Sequence, residues 1–253
     1  MASDESASGS SGNISYAAFS WIGSLRQTNQ DSFGLAISSD GLLVAGVADG
    51  MGGHAGGDVA SSTAISMLIE AVDNLPPQDR LDNSALLIAD ISGRLRAIQE
   101  DSPQYTGMGT TLSSAVIDKS LMTTTHIGDS RIYLLRRGQL IQLTKDHSWV
   151  QDQVDAGLLN ADDAFAHPRR NILTRTLDAR ASHKPDADVF KLEVADRIFI
   201  CSDGVHGVIS DKTISAGISH DNLERGLELI RNEVRKQGAN DNATGVLISV
   251  DSL

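Results

Sequence analysis

Four aspartates in this chain share one setting: each stands at the end of an apolar run, among glycines or other small residues. The run Val44–Ala48 leads into Asp49-Gly50-Met51-Gly52-Gly53-His54-Ala55-Gly56-Gly57. Asp129 follows Met122–Ile127, Asp203 follows Arg197–Cys201, and Asp241 lies just ahead of Gly245–Val250. A carboxylate at the end of a rigid strand can be held in place. One such Asp reads as a turn or helix-cap residue. Four in the same setting suggest strand ends converging on one site. Carboxylates brought that close repel, so they need cations or must take up protons. Oxygen donors without cysteine favour Mg²⁺ or Mn²⁺ over zinc. The glycines after Asp49 allow close backbone approach to a ligand. Their spacing fits neither a P-loop nor a dinucleotide fingerprint. Arg26, in Arg26-Gln27-Thr28-Asn29-Gln30-Asp31, would alone be a solvated surface residue. Beside a metal-carboxylate cluster it becomes a candidate phosphate anchor, because the guanidinium fork matches phosphate oxygens.

The elements that must position these groups are legible in part. Strands are expected at Ile14–Ser20, Ser32–Ile37, Leu42–Ala48, Thr111–Ile117, Met122–Ile127, Arg131–Leu135, Arg197–Cys201 and Gly245–Val250, all short and rich in β-branched residues. Tight turns at Lys119-Ser120 and Arg137-Gly138 favour antiparallel pairing. Helical spacing appears in Leu87, Ile91, Leu95 and Ile98, in Leu223, Leu227, Ile230 and Val234, and across Val59–Val72. Asp221 with Glu224 resembles a capping box, and Ser148 with Gln151 another, on a short helix stopping at Gly157. Pro76-Pro77 breaks the chain between two helices. Strand meanders with helix pairs between them predict an α+β layered fold.

The chain has 253 residues, 33 acidic against 21 basic, and a formal charge of −12. Such acidity disfavours nucleic acid and anionic membrane surfaces as partners. Cys201 is the only cysteine, so no intrachain disulfide is possible, and mid-strand it reads as a core residue rather than a nucleophile. No apolar run is long enough to span a bilayer, and a cytoplasmic monomer is expected. Residues 1–12, rich in Ser, Gly and Ala, read as a disordered tail or a cloning remnant ahead of one domain at 13–253. Among the histidines, His126 is expected in the core or just behind the site. His147 and His167 belong to the segment 146–175, and His183, His206 and His220 are expected at the surface. Arg169 and Arg170 could meet a phosphopeptide or simply be solvated.

Taken in order, Arg26–Asp31, Asp49–His54, Gly107–Thr111, Gly128–Arg131, Ser202–Gly204 and Asn240–Asn242 resemble the type 2C, metal-dependent Ser/Thr protein phosphatases. The Gly-Met-Gly-Gly-His form and Asp146–Arg175 are similar to the bacterial branch. The resemblance spans roughly residues 15–250. It implies a four-layer α-β-β-α sandwich with a mobile flap at about 146–175. It implies two core Mn²⁺ or Mg²⁺ ions and direct attack of their shared water on phosphoserine or phosphothreonine. Asp49 would bridge both ions, the Gly50 carbonyl would bind one, and Asp203 and Asp241 would complete the other. Asp31 would act through a bound water, and Asp129 with Asp203 would hold a weaker third ion. Arg26 would hold the phosphate; His54 would be the general acid or orient a water. Gln30 stands where some family members carry an acid. The implied partners are phosphoproteins made by a bacterial Ser/Thr kinase. Two other readings stay open: a small-molecule phosphomonoesterase, or a non-catalytic phosphoprotein-binding regulator. Val205-His206, after Ser202-Asp203-Gly204, has no role at this level.

Overall fold

The computed structural model describes residues 4–39, 41–52, 56–74, 84–180 and 183–252. Its first sheet contains β1 (Glu5–Ser11), β2 (Ile14–Trp21), β8 (Arg131–Arg136), β9 (Gln139–Gln142), β12 (Arg197–Cys201) and β13 (Ala243–Val250), in the order β1-β2-β13-β12-β8-β9. The second contains β3 (Asp31–Ile37), β4 (Leu43–Met51), β5 (Gly109–Thr110), β6 (Leu112–Asp118), β7 (Leu121–Ile127), β10 (Leu177–Asp178) and β11 (Asp186–Lys191). Its order is β10-β5-β4-β6-β7-β11, with β3 paired to β4. The registers are antiparallel throughout the described residues. The helices are α1 (Gly57–Asn74), α2 (Ser84–Asp101), α3 (Trp149–Asp155), α4 (Ala161–Phe165), α5 (Asp203–His206), α6 (Asp211–Ile218) and α7 (Leu223–Lys236).

Alternation along each strand builds the layers, because successive side chains face opposite ways. In β13, Val246, Ile248 and Val250 point between the sheets, with Leu43, Ala45 and Val47 of β4 and Ile198 and Ile200 of β12. Leu247 points outward, with Phe19 and Phe199, onto Ile214, Leu227, Ile230 and Val234 of α6 and α7. On the other side Val44 of β4 meets Ile65, Leu68 and Val72 of α1 and Ile88, Ile91 and Leu95 of α2. Three apolar interiors thus separate four layers, the expected α-β-β-α sandwich. Central strands covered on both faces read as near-continuous apolar runs, and β13, polar only at Thr244 and Ser249, is buried along its whole length. Gly46 lets α1 approach: a Cβ there would sit 2.7 Å from a Leu68 methyl.

Two expectations are corrected. Residues 5–11 are not a disordered tail: they pair with Ile14–Ser20 in full register as an edge strand. Backbone pairing alone makes this strand; its side chains are small, polar and largely exposed. Helix α7 is capped by Asn222, not Asp221: the Asn222 Oδ1 accepts the Arg225 N–H at 2.8 Å. Ser148 caps α3 as expected, and Gly157 closes that segment at φ +70°. The Pro76-Pro77 breaker lies outside the described residues.

Ile248 is fully buried between the sheets. Ile248→Ala should lower unfolding stability by about 2–5 kcal/mol in urea titrations; a loss under about 1 kcal/mol would place that core elsewhere.

Candidate metal and phosphate site

The registers bring the predicted aspartates to one end of the sandwich. Cys201, the last residue of β12, lies opposite Gly245 of β13 and Arg131 of β8. Asp203 just beyond β12, Asp241 just before β13 and Asp129 just before β8 therefore share that end. Trp21, the last residue of β2, pairs with Ala243, so the following loop with Arg26 emerges there too. In the second sheet Asp31 opens β3 directly opposite Asp49 of β4. Like charges directly opposite on neighbouring strands are destabilising, so this pair is held against its own repulsion.

A cleft of about 480 Å³ is lined by Arg26, Gln30, Asp49, Gly50, Asp129, Asp203 and Asp241, together with Asn171 and Leu173 of the flap. Asp31 sits beneath it, 7% exposed. Burial is the first cause of a raised Asp31 pKa, to about 7, with Asp203 and Asp241 adding repulsion against the bonds from Ser202 and Thr244. Asp49 and Asp203 open partly onto the cleft but are enclosed on their other sides. Desolvation raises both, and repulsion from Asp31 and Asp203 raises Asp49 further, as Asp241 does for Asp203. Asp129 is raised by burial and then by Asp203. These carboxylates thus act on one another as a single charge cluster.

The cluster has protein partners. Arg26 Nη2 donates to Asp241 Oδ2 at 2.7 Å, so the expected phosphate anchor is ion-paired to an expected metal ligand. Ser202 Oγ donates to Asp31 Oδ2 at 2.7 Å and accepts the Thr244 N–H at 3.1 Å. Among the described residues, no three Asp, Glu, His or Cys side chains stand close enough to form a finished ligand shell. The chemistry of the donor set still fits a hard divalent cation: all oxygen, crowded, and short of positive charge.

Backbone positions around the cluster are fixed by side-chain hydrogen bonds from Asn242, Thr110 and Thr111. Asn242 Oδ1 accepts the Gln30 N–H at 2.9 Å, while its Nδ2 donates to the carbonyls of Ile22 at 2.7 Å and Thr28 at 3.1 Å. One buried side chain thus pins the loop that carries Arg26. Thr111 Oγ1 accepts the Asp49 N–H at 2.9 Å, and Thr110 Oγ1 donates to the Asp49 carbonyl at 3.0 Å. At Gly204 a Cβ would run into the Asn242 carbonyl, so only glycine lets the Asp203 and Asp241 loops meet. Within the segment 146–175, expected beside the site, Asn171 and Leu173 are the residues that line the cleft, next to the bridge between Leu173 and Ser148.

The base of the segment 146–175 is anchored. Arg131 donates to both oxygens of Asp146, at 2.8 and 2.7 Å. His147 Nδ1 accepts the Gly128 N–H at 3.1 Å, leaving Nε2–H to donate to Asp186 at 3.1 Å. Arg169 stacks over Trp149 and Arg170 over Phe165, so both have partners within the segment. His126 is buried, bonded to Ser113 and the Lys145 carbonyl, and burial pushes its pKa down to about 4. Cys201 is fully buried, as a core residue should be, and burial raises its thiol pKa. His206 corrects the surface expectation: it is 7% exposed, and burial pushes its pKa down to about 3. His54, expected as acid or water-orienting group, lies outside the described residues.

Known proteins agree with this geometry. The protein phosphatase 2C family profile matches residues 25–240. The Ser/Thr protein phosphatase PstP of Mycobacterium tuberculosis is 35% identical over 237 residues, 94% of this chain but 45% of that protein. This chain therefore spans under half the length of that relative. A Ser/Thr phosphatase of Listeria welshimeri is 32% identical over 239 residues, 89% of this chain and 92% of its own. The solved catalytic domain of PstP in complex with two manganese ions superposes with a TM-score of 0.85 at 33% identity, over 94% of this chain and 99% of that one. From its motifs, its sandwich and these relatives, the chain belongs to the protein phosphatase 2C family, in its bacterial, metal-dependent branch.

Proposed function

We propose that the protein removes phosphate from phosphoserine and phosphothreonine of protein substrates, using divalent cations held by its aspartate cluster. The observation that carries this reading is the convergence of Asp49, Asp129, Asp203, Asp241 and Arg26 on one cleft. Asp49, Gly50, Asp203 and Asp241 would hold two core ions, Asp31 would support them from beneath, and Asp129 with Asp203 would hold a third. When bound, the ions supply a water of lowered pKa and positive charge at the phosphate. Mn²⁺ is the first candidate, because a family structure carries two of these ions, and Mg²⁺ fits the same donors.

Arg26 would bind the substrate phosphate. Its present partner, Asp241, is 36% exposed and the arginine 46%, so the guanidinium can swing to the cleft mouth. Attraction for the anion must be local, since the chain's formal charge is −12. Two ions would move that charge to about −8 and a third to about −6. Asn171 and Leu173 would border the substrate. The natural substrates would be products of a bacterial Ser/Thr kinase, in the cytoplasm. Among the described residues no helix is long and apolar enough to cross a membrane.

With Mn²⁺ present, p-nitrophenyl phosphate and a phosphothreonine peptide should both be hydrolysed. EDTA should abolish both activities, and Asp203→Asn should lower kcat by roughly 100-fold or more. Activity that survives chelation and the substitution would overturn the reading. Arg26→Ala should raise KM for the phosphopeptide about 10-fold with a smaller change in kcat. An unchanged KM would remove Arg26 from phosphate binding.

A further inference from the structure

His206 is not absorbed by the function above, yet it is buried directly behind the site. It is the last residue of α5, whose first residue is Asp203. Three positions apart, the two lie within one helical turn. The imidazole Nε2 lies 2.9 Å from the Asp129 main-chain carbonyl. A carbonyl only accepts, so Nε2 carries the hydrogen and the ring donates. The rest of that loop is held from other directions. The Gly128 N–H and carbonyl go to His147, and the Ser130 hydroxyl to Thr111. Beyond the β8–β12 ladder, which ends at the pair of Arg131 with Cys201, the contact from His206 links the Asp129 loop to the helix turn that begins with Asp203. Those two carboxylates repel across the cleft, and burial strengthens the repulsion.

We propose that His206 is a positioning residue: its bond to the Asp129 carbonyl sets the separation of the Asp129 and Asp203 carboxylates, and so the affinity of the ion they share. The inference rests on the reading that this pair holds an ion in addition to the two core ions. Such a tie acts as other outer partners of metal ligands do, by fixing the donors before the ion arrives. It also gives Val205-His206 a physical meaning. Val205 is buried among Phe19, Phe199 and Leu227, and anchors the turn, while His206 reaches across it.

The test is calorimetric titration of Mn²⁺ into the metal-stripped full chain, for wild type, Asp129→Asn, His206→Leu, His206→Asn and His206→Gln. Wild type should show a weak site besides the tighter ones, and Asp129→Asn should abolish only the weak site. His206→Leu removes the donor, and His206→Asn is too short to reach the carbonyl. Both should weaken that site about 10-fold while leaving the tight sites within about 2-fold. His206→Gln keeps a donor of similar reach and should recover most of the affinity. A general packing defect would move tight and weak sites together, and would contradict the proposal. So would wild-type weak-site affinity in the Leu and Asn variants alongside its loss in Asp129→Asn. If Leu lacks a cooperative melt, the polar Asn and Gln pair decides between the same outcomes. If Asp129→Asn changes no site, the shared-ion reading itself fails, and the role of His206 with it.

Discussion

The structure is organised around mutual repulsion among buried carboxylates. Asp31 and Asp49 face each other on adjacent strands of the second sheet, and Asp129, Asp203 and Asp241 approach from the first. Asp31, Asp49, Asp129 and Asp203 lose hydration, and repulsion from neighbouring carboxylates raises their proton affinity further. A fold left to its own packing preferences would separate them. Here the apolar layers hold the strand ends in place, and the charge must be met by protons, by Arg26 or by added cations.

The rest of the molecule reads as support for that arrangement. Interior residues on β4, β12 and β13 fix the sheets back to back, so that their ends coincide. Hydrogen-bonding side chains then set the loops. Asn242 pins the Arg26 loop, Thr110 and Thr111 hold the Asp49 backbone, Ser202 fixes Asp31, and His206 ties the Asp129 loop to α5. Pre-set donors lose less freedom when a ligand binds. The same logic explains the anchored base of the flap, where Asp146 and His147 hold β7 and β8 at the point from which Asp129 emerges.

Much of this is legible before any coordinates. Apolar alternation locates the central strands to within a few residues, and the four strand-end aspartates announce one acidic cleft, because the strands are rigid and buried on both faces. What sequence conceals has physical reasons. Strand β1 carries no apolar period, since an edge strand of small polar residues is held by backbone pairing rather than by packing. His206 looks like an exposed residue after a turn; its burial follows from how α5 seats under Asp129, which is a long-range contact. Asn171 and Leu173 join the cleft only through folding of the flap. The N-cap of α7 falls one residue later than expected because Asn222, not Asp221, occupies the extended position ahead of the first turn.

The central claim is that the carboxylate cluster destabilises the protein unless cations neutralise it. Its direct test is the melting temperature of the metal-stripped protein between about pH 6.5 and 8.5, with and without saturating Mn²⁺. The buried histidines, whose folded values are lowered from 6.5, add an opposing slope only at the foot of this window, where their unfolded rings are half protonated; the four raised carboxylates act across the whole window and outweigh it. A carboxylate whose folded pKa is raised binds its proton more tightly in the native state. Its stabilising effect is complete below the unfolded value of 3.8 and is lost as pH rises through the folded value, about 7 for Asp31. The metal-free melting temperature should therefore fall from pH 6.5 to 8.5. Mn²⁺ should raise it, more at pH 8.5 than at 6.5, because the ions bind the deprotonated cluster. A flat metal-free profile, together with no shift under saturating Mn²⁺, would contradict the account.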